Sequence, residues 1–154
     1  MRQTLILDAS YDSETDITGI GIVIHETDNP RKNKNGIIID EISESYIGIG
    51  SGKGEMFAVF RALEIALERG YRNIRTRSDY NYLRKTFKSS YEDGVGHDRT
   101  DLHGEIIRMS SRFEKVEFGY NPRRKNQMAH KLARNATKEV KPIFREDLVR
   151  KTKR

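Results

Sequence analysis

The sequence predicts an α/β fold in which a five-stranded mixed sheet is flanked by helices. Three apolar, strand-like segments come first and are joined by short polar links, which is typical of an antiparallel meander. Helical periodicities then alternate with two further short strand-like segments. The predicted order is βββαβααβα. A length of 154 residues suits one hydrophobic core and is too short for two.

The first three strands are indicated by runs of β-branched residues. They are "TLILD" (4–8), "ITGIGIVIHE" (17–26) and "GIIIDEISESYIGIG" (36–50). The segment between the second and third, "TDNPRKNKNG", is polar and contains Pro and Gly, so it predicts a turn. The first strand is apolar apart from its last residue, Asp8, and we expect it to be buried.

The second half of the chain predicts four helices and two strands. The segment "GEMFAVFRALEIALERG" has helical periodicity over about four turns and is closed by Gly70. The remaining elements follow in order: strand "NIRTRS", helix "DYNYLRKTFK", loop "SSYEDGVGHDR", helix "TDLHGEIIRMSSRF", strand "VEFGY" and a final helix over residues 126–138.

The positive charge is concentrated at the C-terminal end. Residues 121–154 contain twelve Lys or Arg and three acids, a net charge of +9, which leaves −3 of the total of +6 for residues 1–120. Segregation of this kind favours binding to a polyanion. We predict one domain over residues 1–140 and a basic tail over 141–154, with "NPRRKN" (121–126) as a phosphate-facing loop. A solvated tail is the alternative for "VRKTKR".

Other classes are excluded or not indicated by composition. The absence of cysteine excludes disulfides and thiolate metal sites. The N-terminal apolar run is far too short for a signal sequence or a membrane span. We therefore expect a soluble, cytoplasmic protein that does not bind membranes and is a monomer.

Two carboxylates stand in apolar surroundings. Asp8 ends an interior strand, where an acid is costly unless it is paired, hydrogen-bonded or bound to metal, although a turn-initiating Asp is an alternative. Glu55 lies in the first turn of its helix at the centre of the apolar arc, opposite the polar stripe of Arg61, Glu64 and Glu68. The helix dipole alone favours an acid there, but it does not require the acid to face the core.

Two further polar residues have structural and functional interpretations. Asp79 follows the strand "NIRTRS" and opens a helix, so it is either an N-cap, a site carboxylate, or both. His130 lies at the margin of the apolar face of the last helix, where a histidine is more often structural than catalytic. Its interpretation depends on which groups the fold brings beside it.

Together, in this order and on these elements, Asp8, Glu55, Asp79 and His130 resemble the site of the ribonuclease H type 1 family. The resemblance covers nearly the whole chain through "ILDAS", "GEMFAVFRALEIAL", "SDY" and "NQMAHKLA". The family usually has an acid where His130 stands, and the reverse-transcriptase-like branch, which includes plant members, is similar to this chain in having histidine. The resemblance implies a ribonuclease H-like fold and an endonuclease that hydrolyses the RNA strand of RNA/DNA hybrids.

The resemblance also implies two Mg²⁺ ions, for which clustered carboxylates are suitable ligands. Asp8 is expected to be the shared ligand, with Glu55 and Asp79 flanking it. His130 is expected to be a ligand to a softer ion such as Mn²⁺, or a proton shuttle. The small residues of "GSGKG" (50–54) would admit the minor groove of the hybrid.

Contacts to nucleic acid are expected from polar and basic residues near these motifs. They are Ser10, Ser51, Lys53, Asn81, Arg84, Lys85, Arg123, Arg124, Lys125 and Asn126.

Two rival functions remain open. A four-acid exonuclease of the same superfamily needs acids at positions where this chain has Ser10 and Asn135, which argues against it. A non-catalytic nucleic-acid-binding module is the second rival, because His130 and Tyr80 replace residues that are usual in the family.

Overall fold

The strands form a five-stranded mixed sheet in the order β3-β2-β1-β4-β5. The computed structural model describes residues 1–81 and 99–152. The first three strands pair antiparallel, whereas β1 with β4 and β4 with β5 pair parallel, so the predicted fold class is confirmed. The strands are β1 (Arg2–Asp12), β2 (Ile17–Thr27), β3 (Ile37–Ile47), β4 (Asn73–Ser78) and β5 (Lys115–Tyr120).

Three of the described helices match predicted ones in order and differ from them in length, whereas the last, within the segment expected as a basic tail, was not predicted. They are α1 (Gly54–Glu68), α2 (Leu102–Ser110), α3 (Gln127–Glu139) and α4 (Glu146–Thr152), with a 3₁₀ turn at Arg123–Lys125. Helix α1 ends before Gly70, which has a positive φ of 73° and so permits the chain reversal. Helix α2 begins later than predicted because Asp101 caps its start by accepting a hydrogen bond from the Gly104 N–H, and it ends at Ser110, three residues before the predicted end. The helix predicted over "DYNYLRKTFK" lies mainly outside the described residues.

The main core lies between the sheet and helices α1 and α2. Apolar residues of α1 such as Phe57 and Leu63 pack on Leu5 and Leu7 of β1, and all four side chains are fully buried. Burial of one such side chain contributes about 1.5 to 3 kcal/mol relative to leaving it exposed. This packing determines where the first turn of α1 meets β1.

Helix α3 packs on the opposite face of the sheet at unusually close range. A Cβ atom at Gly19 would overlap the backbone oxygen of Ala133, and one at Gly21 would overlap that of Ala129. The helix side of this contact is made of small residues, including Ala129 and Ala133, which are fully buried. The two glycines therefore allow the helix backbone to lie directly against β2, which fixes the position of the residues of α3.

The segment 141–152, expected as a basic tail, packs against the domain. The Ile47 N–H donates a hydrogen bond to the Ile143 carbonyl, and Val149 is buried in the main core. Arg145 forms an ion pair with Glu64 of α1 at 2.6 Å. The apolar residues among the basic ones explain this difference, because burying Val149 anchors the segment.

None of the described helices is long and apolar enough to cross a membrane.

Candidate metal centre

Three carboxylates from three different elements meet at one edge of the sheet. Asp8 lies in β1, Glu55 in the first turn of α1, and Asp79 directly after β4. One oxygen from each lies within 4.8 Å of the others. The parallel pairing of β1 with β4 ends at Ile6, so β1 continues past the end of β4 and presents Asp8 beside Asp79. The sequence prediction that these acids converge agrees with this geometry.

Asp8 is the central and most buried member of the cluster. Asp8 is 3% exposed. It was predicted at the end of the first strand, but β1 continues to Asp12, so Asp8 lies within the strand. One of its oxygens, Oδ2, is 2.7 Å from Nδ1 of His130. Asp8 therefore links the carboxylate cluster to helix α3.

Glu55 has the most unfavourable electrostatic surroundings. Burial raises the pKa of its carboxyl group, and the charges of Asp8 and Asp79 raise it further. Its Oε2 atom is buried and has no hydrogen-bond partner among the residues that the structure describes. A buried carboxyl group that has one unpaired oxygen and lies beside two other carboxylates is the arrangement expected of a group that binds a cation.

Asp79 is half-buried at the outer side of the cluster. Burial and the charge of Asp8 raise the pKa of Asp79, whereas Arg123 and His130 act in the opposite direction. Its neighbour Ser78 accepts a hydrogen bond from the Tyr80 N–H through Oγ. The expected N-cap role of Asp79 concerns a helix that lies mainly outside the described residues.

The described potential metal ligands form a group of three acids that does not include His130. The imidazole contacts Asp8 through Nδ1, and its side chain is 38% exposed. When Nδ1 carries the proton and donates a hydrogen bond to Asp8, Nε2 is left as an acceptor. His130 thus belongs to the site through Asp8, and the sequence expectation of a direct ligand differs from this arrangement.

The expected nucleic-acid contact Asn126 is instead an interior anchor. The residue is fully buried, and its side-chain amide donates a hydrogen bond to the Leu7 carbonyl at 3.0 Å. The backbone carbonyl of Asn126 accepts a hydrogen bond from the His130 backbone N–H. Asn126 therefore connects β1 and α3 next to Asp8, because the close packing of the helix brings its first turn over the strand. The sequence places Asn126 in a basic loop, and that position alone does not indicate that its side chain is buried.

The other described candidates for nucleic-acid binding lie at the surface around the cluster. Arg123, Arg124 and Lys125 are exposed in the 3₁₀ turn, and within the described ranges 1–81 and 99–152 none of them forms a salt bridge. Ser51 and Asn81 are exposed, whereas Ser10 and Lys53 are half-buried. The expected contacts Arg84 and Lys85 lie outside the described residues.

The available donors fit a hard divalent cation. All three clustered groups offer carboxylate oxygens, which are the ligands that Mg²⁺ prefers, and the unpartnered Glu55 Oε2 points to a missing positive charge. Without a cation, the three acids repel one another.

The comparisons with known proteins agree with this fold. A family model described as reverse transcriptase-like matches residues 7–136. No curated protein matches the chain in sequence. Ribonuclease H1 from the halophilic archaeon Halobacterium salinarum NRC-1 has a TM-score of 0.70 and 21% identity, over 89% of this chain and 98% of that chain.

Two further solved structures are similar. The N-terminal ribonuclease H domain of Rv2228c from Mycobacterium tuberculosis has a TM-score of 0.69 and 17% identity, over 90% of this chain and 95% of that chain. LC11-RNase H1, isolated from compost by a metagenomic approach, was solved with an RNA/DNA hybrid. It has a TM-score of 0.65 and 18% identity, over 87% of this chain and 95% of that chain. The resemblance to the type 1 ribonuclease H family is thereby confirmed. Since the family model spans most of the chain and the fold agrees with these structures, the chain belongs to the reverse transcriptase-like family and has the ribonuclease H fold.

Proposed function

We propose that this protein is a metal-dependent endonuclease that hydrolyses the RNA strand of RNA/DNA hybrids. The observation that carries the proposal is the cluster of Asp8, Glu55 and Asp79, with ligand oxygens within 4.8 Å of one another. A buried acidic cluster costs stability, whether its groups repel one another or must take up protons, and bound cations would offset that cost.

The substrate class is supported by the surroundings of the cluster and by the solved relatives. The exposed cations of Arg123, Arg124 and Lys125 lie in the turn that leads into α3, close enough for Arg123 to influence the pKa of Asp79. They would position a phosphate backbone beside the acids. LC11-RNase H1 has been solved with an RNA/DNA hybrid. A protein that distinguishes this hybrid from duplex DNA would do so through the 2′-hydroxyl groups of the RNA strand.

Two Mg²⁺ ions are the proposed cofactors, with Mn²⁺ as a possible substitute. When bound, such ions lower the pKa of an attacking water molecule and neutralise the charge that develops on the phosphate. Asp8 lies between the other two acids and is proposed as the shared ligand, while Glu55 and Asp79 each hold one side. In this proposal the bound ions supply the positive charge that offsets the repulsion among the three acids.

The remaining residues of the site orient these ligands. Asn126 fixes the start of α3 to the Leu7 carbonyl, one residue before Asp8. The Asp8–His130 hydrogen bond then sets both the orientation of that carboxylate and the tautomer of the imidazole. We assign His130 to proton exchange with solvent or the leaving group through Nε2, in a supporting role to the three acids.

The test separates catalysis from binding. Asp8→Asn and Glu55→Gln should each lower metal-dependent cleavage of a labelled hybrid by at least about a hundredfold, while hybrid binding in the presence of a chelator is retained. Glu68→Gln is the matched control, because Glu68 lies in the same helix with its side chain 62% exposed. Cleavage that persists at the wild-type rate in Glu55→Gln would show that the cluster is not the catalytic centre.

A non-catalytic module that binds hybrids is the second candidate function. It is favoured by one observation, that His130 contacts Asp8 and is not part of the three-acid group. Such a module would bind a hybrid with the salt dependence of phosphate contacts and leave both strands intact with either metal.

A further inference from the structure

A polar cavity lies on the face of the sheet that α3 only partly covers. It is a groove of about 860 Å³. Its floor includes Arg75 and Arg77, which share a face because side chains two residues apart in a strand point the same way. Asn33 and Asn35, from the link between β2 and β3, form one wall.

Arg75 is a buried cation without a counter-ion. The residue is 4% exposed, and its guanidinium donates hydrogen bonds to three neutral acceptors: Thr4 Oγ1 at 3.0 Å, Asn33 Oδ1 at 2.7 Å and Asn35 Oδ1 at 2.6 Å. In the described part of the chain, no carboxylate lies within salt-bridge distance of it. Burial of an uncompensated charge is costly. The Arg75 guanidinium has five N–H groups, and the three hydrogen bonds leave two of them available to a ligand.

The charges nearby increase this imbalance. Burial lowers the pKa of Arg75, and the positive charges of Arg77 and Arg2 lower it further, although the guanidinium stays protonated at neutral pH. The one acid that acts on Arg75, Glu117, is bound to Arg77 at 2.8 Å and has a side chain that is 50% exposed. The floor of the groove therefore has a net positive charge and is suited to an anion.

The walls of the same groove are partly apolar. Ile38, Tyr120 and Met128 line it, and each is more than 40% exposed. His25 also lines it, and its buried Nδ1 atom has no hydrogen-bond partner among the described residues. A cationic floor beneath exposed aromatic and aliphatic side chains matches a ligand with a phosphate group and a planar ring.

We propose that this groove is a nucleotide-binding site, with the phosphate on Arg75 and Arg77 and the base against Tyr120 and Met128. Its cationic floor at Arg75 lies away from the metal centre, because the Arg75 partner Thr4 precedes Asp8 by four residues of β1, a distance of about 13 Å. The opposite end of the groove reaches Lys125, one of the cations proposed to contact the hybrid. The nucleotide is either free or the phosphorylated end of a single strand, since both present the same chemistry. The proposal does not rest on catalysis at the metal centre.

The test is calorimetric titration with two probes in buffer that contains a chelator, so that the metal centre holds no divalent ion. The probes are adenosine 5′-monophosphate and a short 5′-phosphorylated oligothymidylate. Arg77→Met should weaken binding by at least about tenfold, because it removes a charge-assisted hydrogen bond. Glu117→Gln should tighten binding about fivefold, because it removes the acid that competes for Arg77.

The controls separate phosphate recognition from general effects of charge or folding. Glu114→Gln removes the same charge at an exposed position next to Arg72 and should leave the affinity unchanged. Adenosine without phosphate should bind much more weakly, and inorganic phosphate should compete. Thermal melts identify any variant that has lost its fold. If Arg77→Met fails to fold, the expected tighter binding by Glu117→Gln still tests the proposal.

Each outcome has a defined meaning. Variant-sensitive binding of adenosine 5′-monophosphate identifies a free nucleotide as the ligand, whereas variant-sensitive binding of the oligonucleotide alone identifies a strand end. Absence of binding for both probes would overturn the proposal. So would binding that is equal in the wild type, Arg77→Met and Glu117→Gln.

Discussion

Replacing Glu55 by glutamine should stabilise the metal-free protein while impairing its response to metal. The substitution keeps the size of the side chain and replaces a carboxyl group, whose ionisation Asp8 and Asp79 oppose, by an amide that is neutral in both the folded and the unfolded state. Glutamine also provides an N–H donor toward the neighbouring carboxylate. The expected gain in stability is opposite to the effect of most substitutions at half-buried positions.

The magnitude follows from the pKa. Burial and the neighbouring acids raise the pKa of Glu55 from 4.5 to about 9 in the folded protein. Because the folded state then binds more protons than the unfolded state between these values, stability falls as the pH rises from about 4.5. At pH 7 the full effect would be about 3 kcal/mol at 1.36 kcal/mol per pH unit, and relaxation of the site reduces it to about 1 to 3 kcal/mol.

The assay is thermal unfolding of the wild type, Glu55→Gln and the control Glu68→Gln, at pH 4.5 and pH 8. At pH 8 without metal, Glu55→Gln should raise the Tm by about 3 to 10 °C, and at pH 4.5 the difference should shrink. Mg²⁺ at ten times its Kd should stabilise the wild type by about 1.4 kcal/mol and the variant by less. The reasoning is refuted if Glu55→Gln is no more stable than Glu68→Gln at pH 8, or if Mg²⁺ stabilises it as much as the wild type.

Three further predictions concern the basic turn, His130 and the packing of α3 on the sheet. Replacing Arg123, Arg124 and Lys125 by alanine should flatten the plot of log affinity for a hybrid against log salt by about 0.9 for each phosphate that the variant no longer neutralises, and an unchanged slope would place the footprint elsewhere. His130→Asp should lower the Mg²⁺ concentration for half-maximal cleavage and narrow the preference for Mn²⁺, while His130→Ala should reduce the rate without abolishing it; identical metal titrations for all three proteins would make His130 purely structural. Gly21→Ala should cost about 3 kcal/mol in denaturant unfolding, because the added methyl group overlaps the backbone of α3, and a neutral effect would contradict that close packing.

Much of the fold was predictable because local pattern and tertiary position agree. The β-branched runs became β1 to β3, and the apolar arc of α1 faces the core as its periodicity indicates. Asp8 and Glu55 were conspicuous because each is a charge placed among apolar residues. The parallel pairing of β1 with β4, which the order of elements implies, brings Asp8 beside Asp79, and the packing of α1 on β1 brings Glu55 to the same place.

Other features depend on contacts that no local pattern encodes. Asn126 is one polar residue in a basic loop, and only the approach of α3 to β1 shows that it is buried on the Leu7 carbonyl. Val149 is a single apolar residue among charges, too weak a signal to predict that its segment packs on the domain. The alternation of Arg75 and Arg77 in β4 was a usable signal, since it marks one face of an interior strand as polar.

The most direct test of the proposed function is cleavage of a hybrid in which the RNA and DNA strands are labelled with different fluorophores. In Mg²⁺ or Mn²⁺ the RNA strand should be cut at internal positions, while its DNA partner and a DNA duplex of the same sequence stay intact, and a chelator should stop the reaction. An RNA strand that remains whole in both metals, although the protein binds the hybrid, would contradict catalysis and favour the binding module. Equal cutting of the DNA duplex would contradict the proposed selectivity for RNA.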